Sequence, residues 1–220
     1  MISIQKYLKD PSNSLFLPYN KAKRTTMRSD MMLVNSQKFN DVLYREWNKK
    51  TYFKFKHNLY NLTSKHLDDK FYYHTVTEDD MNIVQELLSN QEPDELLNNN
   101  VIDLTKEDTY FKDFWILLYN KKHFIKDKET KKKIFLPVGV IIGSLDRMTN
   151  EAIIENIEII PEFRKYELYK SLVTELLLRI SCVADFATVR GNVENSINLQ
   201  DLYRDCGFEE ESTWYLLKKN

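Results

Sequence analysis

Residues 151–164, EAIIENIEIIPEFR, run directly into residues 165–180, KYELYKSLVTELLLRI, and the reading of this stretch decides the fold. Ile153, Ile154, Ile157, Ile159 and Ile160 form a β-branched run of the kind that fills a buried strand, and Pro161, which has no N–H to donate, ends it. Beyond the proline, Leu168, Leu172, Val173, Leu176, Leu177 and Ile180 recur at helical spacing, so one face of the next segment is apolar. A buried strand therefore turns sharply into an amphipathic helix. In α/β proteins such a junction presents free backbone N–H groups and the positive end of a helix to an anion, which makes it the first place to look for a ligand.

Two ordered motifs give this stretch a family. Ile159-Ile160-Pro161-Glu162-Phe163-Arg164 resembles the V-x-P-x-x-R that ends the fourth strand of the GNAT N-acetyltransferases. The helix that follows opens in that family with R/Q-x-x-G-x-G/A; here it reads Arg164-Lys165-Tyr166-Glu167-Leu168-Tyr169, with Glu167 and Tyr169 in place of the two small residues. Downstream, residues 185–208, DFATVRGNVENSINLQDLYRDCGF, are similar to the family's fifth strand, its Asn-containing loop, a helix bearing a Tyr, and a Gly-Phe. Thr213 to Leu217 supplies a last strand. The resemblance implies a mixed α/β (α+β) fold, the GNAT acyl-CoA N-acyltransferase fold, with a twisted, largely antiparallel sheet flanked by helices. It also implies acetyl-CoA as co-substrate.

The same resemblance assigns roles. Glu155 lies four residues before Ile159 and so projects to the same side of the strand as Ile157 and Ile159. On that side the family places a carboxylate base; the other reading is a salt-bridged carboxylate with no chemical role. Tyr203 matches the family's general acid toward the CoA sulfur, although a Tyr ahead of Gly207-Phe208 also suits core packing. Ile157 and Ile159 with their backbone would hold the pantetheine. Arg164, Lys165, Tyr166, Leu168, Tyr169 and Lys170 would form the pyrophosphate turn, and Asn195 would be the loop Asn. A carboxylate at Glu167 adds like-charge repulsion where phosphates belong. Two outcomes stay open: Arg164 with Lys165 or Lys170 carries the phosphates, or CoA binding is lost and the scaffold serves as a partner- or ligand-binding module.

Length and composition bound the rest. A chain of 220 residues with 42% hydrophobic residues can bury a real core. Its 32 Lys and Arg against 33 Asp and Glu argue against nucleic acid as a primary partner. No apolar run is long enough to span a bilayer and the first residues do not read as a signal peptide, so the expected location is cytoplasmic, with no membrane partner. The expected acceptor is a small-molecule or peptide amine, and a homo-oligomer is left open. Cys182 and Cys206 have no C-x-x-C spacing and no His nearby, so they read as packed thiols. His57, His66, His74 and His123 are scattered, and no metal site is expected.

Residues 1–69 read as an N-terminal extension and residues 70–220 as the acetyltransferase domain. Within the extension, Met31 to Val34 reads as a strand, Phe39, Val42, Leu43, Glu46 and Trp47 as a short helix, and Tyr52 to Lys56 as a strand by its alternation. From Lys70, Phe71 to Val76 reads as a strand and Thr77-Glu78-Asp79-Asp80 as a capped helix start. Phe114 to Tyr119 and Ile134 to Ser144 read as a hairpin joined by the long charged connection NKKHFIKDKETKKK, with Gly139 and Gly143 suggesting a bulge or a close approach of another backbone.

Overall fold

The structure is a computed structural model; it describes residues 2–64, 67–89, 96, 100–194 and 199–219. Eight strands form a mixed sheet in the order β1-β8-β2-β7-β6-β5-β4-β3. They are β1 (Met31–Asn35), β2 (Trp47–His57), β3 (Phe71–Thr75), β4 (Tyr110–Lys126), β5 (Lys133–Asp146), β6 (Glu151–Ile159), β7 (Phe186–Asn192) and β8 (Glu209–Lys219). The helices are α1 (Ile4–Lys9), α2 (Pro11–Ser14), α3 (Tyr19–Arg24), α4 (Met81–Ser89), α5 (Val101–Lys106), α6 (Tyr166–Ile180) and α7 (Leu199–Asp205). Two compact units divide the chain: residues 1–58, 146–153 and 184–220 make the first, residues 59–145 and 154–183 the second. The strand β6 begins in the first and passes into the second, and it is internal to the sheet, as the apolar run around Ile153 to Ile160 implies.

In the first unit β2 pairs antiparallel with β7 on one edge and with β8 on the other, and β1 closes the far side of β8. Residues 1–69 thus contribute two strands as well as three short helices. The alternation of aromatic and Lys residues in Tyr52-Phe53-Lys54-Phe55-Lys56 suggests one wet face, yet Lys54 is 1% exposed because α1 and α2 cover that side. Its Nζ donates to the carbonyls of Pro11 (3.1 Å) and Leu15 (2.8 Å) and to the Tyr7 hydroxyl (3.3 Å). Tyr7 in turn donates to Glu151 Oε2 at 2.6 Å, and the Thr188 hydroxyl donates to Glu151 Oε1 at 2.5 Å. A buried carboxylate at the first residue of β6 is thereby satisfied from both sides, as a group removed from water must be.

The segment read as a helix between Phe39 and Trp47 is a chain of turns. Asn40 Oδ1 accepts the N–H of Val42 at 3.0 Å and caps the turn locally. Val42 is 85% exposed, so the apolar periodicity had no core to bury against.

In the second unit β3, β4 and β5 are antiparallel neighbours. The charged connection is shorter than its sequence suggests: β4 and β5 continue through it, and only residues 127–132 remain as the tip. Asp127 organises that tip by accepting the N–H and hydroxyl of Thr130. The start of α4 is capped as expected, with Asp80 Oδ2 accepting from both the N–H (2.8 Å) and the hydroxyl (2.7 Å) of Thr77. On α6, Leu172, Val173, Leu176, Leu177 and Ile180 are all fully buried, each contributing about 1.5–3 kcal/mol by leaving water. The far end of α6 is pinned by Arg179, whose guanidinium reaches the Thr75 hydroxyl (2.9 Å) and the Asp113 carbonyl (3.2 Å). Of the two thiols, Cys206 is half-buried but Cys182 is exposed, so the packed reading fails for Cys182.

Candidate functional site

The strand-to-helix junction forms as the residues dictate. After Ile159 the chain enters a 3-10 turn over Pro161–Phe163, in which Phe163 N–H donates to the Ile160 carbonyl and Arg164 N–H to that of Pro161. Pro161 takes the first turn position, where a missing N–H costs nothing. Helix α6 then starts with Lys165 as N-cap, whose carbonyl accepts from the N–H groups of Leu168 (3.0 Å) and Tyr169 (3.4 Å); no side chain caps its positive end. On the other side Gly139 of β5 lies so close to β6 that a Cβ there would stand 2.9 Å from the Glu158 carbonyl oxygen. The close approach expected at this glycine is present.

The residues assigned to the pantetheine and the pyrophosphate turn differ in exposure. Lys165 and Glu167 are exposed and Lys170 is half-buried, while Ile157, Ile159, Leu168 and Tyr169 are buried. Arg164 is engaged: its Nε donates to the Ile159 carbonyl (3.0 Å) and one terminal nitrogen to Glu158 (3.1 Å), fastening the turn to the strand it leaves. Tyr169 fills the space beneath. Its hydroxyl is buried near the Ile159 backbone and Arg164 without a hydrogen-bond partner among the described residues. Burial, with Glu158's charge adding and Arg164's opposing, pushes the phenol up to about 12. Tyr166 opens the helix, and Asn195 lies outside the described residues.

Glu155 is half-buried on β6, and its Oε1 accepts a 2.7 Å hydrogen bond from the Ser144 hydroxyl of β5. Ser144 stands opposite Tyr110 in the β4–β5 register, and Trp115 stands opposite Ile142, two residues along the same face. The Tyr110 and Trp115 rings meet edge to face at 5.3 Å. Trp115 is 1% exposed and its Nε1 has no hydrogen-bond partner among the described residues. Sequence reasoning missed Ser144 as the partner of Glu155. The available signal was Ser144 itself, a hydroxyl at the end of an apolar strand.

Tyr203 belongs to the other unit. It is 3% exposed, with its ring against Phe53 (6.1 Å) and Phe208 (5.4 Å), so the packing role that the sequence allowed is realised. Burial, and then the neighbouring Cys206, push its phenol up from the ordinary value, and at neutral pH it holds its proton. Gly207 follows at φ +88°, where an L side chain is strained, and a Cβ would meet His57 Nε2 at 2.9 Å. Burial also depresses the His57 imidazole.

Neither a family model nor a curated protein matches the sequence. Solved structures do match the architecture. A GCN5-related N-acetyltransferase from Sphaerobacter thermophilus superposes with a TM-score of 0.65 at 11% identity, over 86% of this chain and 58% of that one. An acetyltransferase of the GNAT family from Colwellia psychrerythraea gives 0.55 at 10% identity, over 85% and 64%. The chain has the GNAT fold. The GNAT resemblance read from the motifs around Pro161 and Gly207 is borne out at that level. A chain in the structure of the NatC complex bound to Gag peptide and CoA is also similar, with a TM-score of 0.50 at 16% identity over 69% of this chain and 99% of that one. The chain spans under two thirds of the length of the Sphaerobacter and Colwellia proteins. Among the described residues no cluster of His, Cys, Asp and Glu could hold a metal ion, and no helix is long and apolar enough to cross a membrane.

Proposed function

We propose that the protein is an N-acetyltransferase that moves an acetyl group from acetyl-CoA to an amine. The observation that carries this reading is the uncapped start of α6, placed directly after β6 on a GNAT fold. Its positive end suits the pyrophosphate, and Ile157 and Ile159 with their backbone suit the pantetheine. Residues 70–220 carry this chemistry, with residues 1–69 as an extension that adds strands to it. Glu155, oriented by Ser144, takes the proton of the acceptor ammonium directly or through water, and the neutral amine then attacks the thioester carbonyl. The C–N bond forms, the C–S bond breaks, and the departing thiolate takes a proton from water. The NatC neighbour, bound to a peptide, favours a peptide N-terminus over a small amine as acceptor.

Acetyl-CoA incubated with a panel of peptides and polyamines, with mass detection of the product, tests the reading. A mass gain of one acetyl group that Glu155→Gln lowers by about 10²–10⁴-fold supports it. Calorimetry that finds no acetyl-CoA binding overturns it.

A second reading has its own observation. Glu167 sits in the first turn of α6, and Arg164 is held by Glu158 and Ile159, so the anion site carries an acid of its own. That arrangement suits a catalytically silent GNAT-fold module. Absent CoA binding together with capture of a partner would select it.

A further inference from the structure

The balanced charge of the whole chain hides a division. Residues 1–58 hold twelve Lys and Arg against four Asp and Glu, and the remaining residues hold twenty against twenty-nine. The basic segment supplies β1 and β2, and the sheet they form with β8 has two unlike faces. One face is closed: α2 covers it, with Trp214 Nε1 donating to the Ser12 carbonyl (3.0 Å) and Phe16 packed edge-on to Tyr52. The opposite face carries Trp47 and Lys49 on β2, Tyr215 and Lys219 on β8, and Met32 on β1, by the register that pairs Trp47 with Lys219, Thr51 with Tyr215 and Val34 with Tyr215. It is open at its rim, with Met32 38% exposed and Lys49 and Lys219 in solvent, while Leu217 between Met32 and Lys49 is buried.

The turns between β1 and β2 add rings to this face. Phe39 stacks on Tyr44 (5.7 Å, 18°) and meets Tyr215 edge-on (4.7 Å), while Tyr44 meets Trp47 edge-on (5.9 Å). The Lys49 ammonium lies over both Phe39 (4.9 Å) and Tyr215 (4.8 Å). Tyr44, Trp47, Arg45 and Asp41 help to line a cleft of about 380 Å³ beside this cluster. The exposed apolar segment Val42-Leu43, which found no core, stands in the same turns.

We infer that this face is a binding surface for single-stranded nucleic acid. Aromatic rings interleaved with Lys and Arg on an open sheet are what a splayed strand needs, because every base has a face to stack and every linkage carries a charge. Tyr44 and Trp47 supply the stacking surface, and Arg45, Lys49 and Lys219 the phosphate contacts. Asp41, facing the same cleft, accepts from a base's exocyclic amine and disfavours a ligand that is phosphate alone. A duplex has its bases paired and stacked inside and gains only the charge contacts. The surface is independent of the acetyl-transfer reading.

The test is fluorescence anisotropy of the full chain with labelled single-stranded 12-mers, with a duplex, a mononucleotide and inorganic polyphosphate as competitors. Three phosphate contacts imply that the single-strand affinity falls by about 20-fold between 50 and 200 mM salt. Trp47→Ala weakens it by about tenfold or more, and the oligonucleotide quenches tryptophan emission, since Trp115 and Trp214 are buried and Trp47 is not. Lys49→Gln, at an exposed position, weakens binding and reduces the salt slope without touching a core residue, so loss of binding is separable from loss of fold; circular dichroism checks both variants. Absence of binding to any 12-mer overturns the inference. So does polyphosphate competing as well as the strand, a mononucleotide binding as tightly as the 12-mer, or binding indifferent to Trp47→Ala.

Discussion

Replacing Lys54 with methionine isolates the energetics of the one lysine enclosed in the first unit. Burial lowers its ammonium from 10.5 to about 8, with Glu151 and Asp10 favouring the charged form and Arg190 opposing it. The folded value lies below the unfolded one, so between about pH 8 and about pH 10.5 the unfolded chain binds the proton that the folded chain has released. Stability therefore rises with pH across that window, and below it the full cost of holding a buried ammonium is present. A gap of this size corresponds to roughly 3 kcal/mol, of which about 2 kcal/mol is relieved between pH 7 and pH 9.5. Methionine keeps the stem volume and removes the titration, although it leaves the Pro11 and Leu15 carbonyls without their donor. The assay is urea unfolding of the native chain and Lys54→Met at several pH values over that range. The buried tyrosines, Tyr7 among them, have raised values and lower stability only above about pH 10, and they are common to both proteins. The native chain is expected to gain about 2 kcal/mol on the variant as pH rises. Parallel profiles would mean that water or rearrangement keeps Lys54 solvated, and the account of a sealed network of Tyr7, Lys54 and Glu151 would be wrong.

Other perturbations separate packing from chemistry. Gly207→Ala puts a Cβ at φ +88° and 2.9 Å from His57, and should cost about 1–3 kcal/mol in the same assay; a neutral result would refute the strained turn. Tyr169→Gly empties a buried site and should cost about 3–5 kcal/mol, whereas Glu167→Gln, at an exposed first-turn position of α6, should cost under about 1 kcal/mol and tighten acetyl-CoA in calorimetry. A chain of residues 70–220 alone loses β2 from between β7 and β8 and exposes both edges, so circular dichroism should show no cooperative melt; a sharp transition would show that residues 1–69 are dispensable for folding.

The junction at Pro161 was legible in the sequence because its signals are local. A β-branched run, a proline that cannot extend the ladder and apolar residues at helical spacing act on neighbours a few positions away, and they produced β6, the 3-10 turn and α6. The Thr77–Asp80 cap and the Gly139 approach were readable for the same reason. What a strand pairs with is a long-range matter. Lys54 looked like a solvent-facing residue of an alternating strand until β7 and β8 took its edges and α1 and α2 its face. The periodic residues between Phe39 and Trp47 met no apolar partner and stayed as exposed turns, since a helix of that length gains its stability from the face it buries. Likewise Arg164 has the identity of a phosphate ligand, and only the fold set Glu158 and the Ile159 carbonyl around it. Local sequence thus determined which elements form and where they break. Tertiary structure decided which faces are dry, because burial depends on surfaces brought together from across the chain.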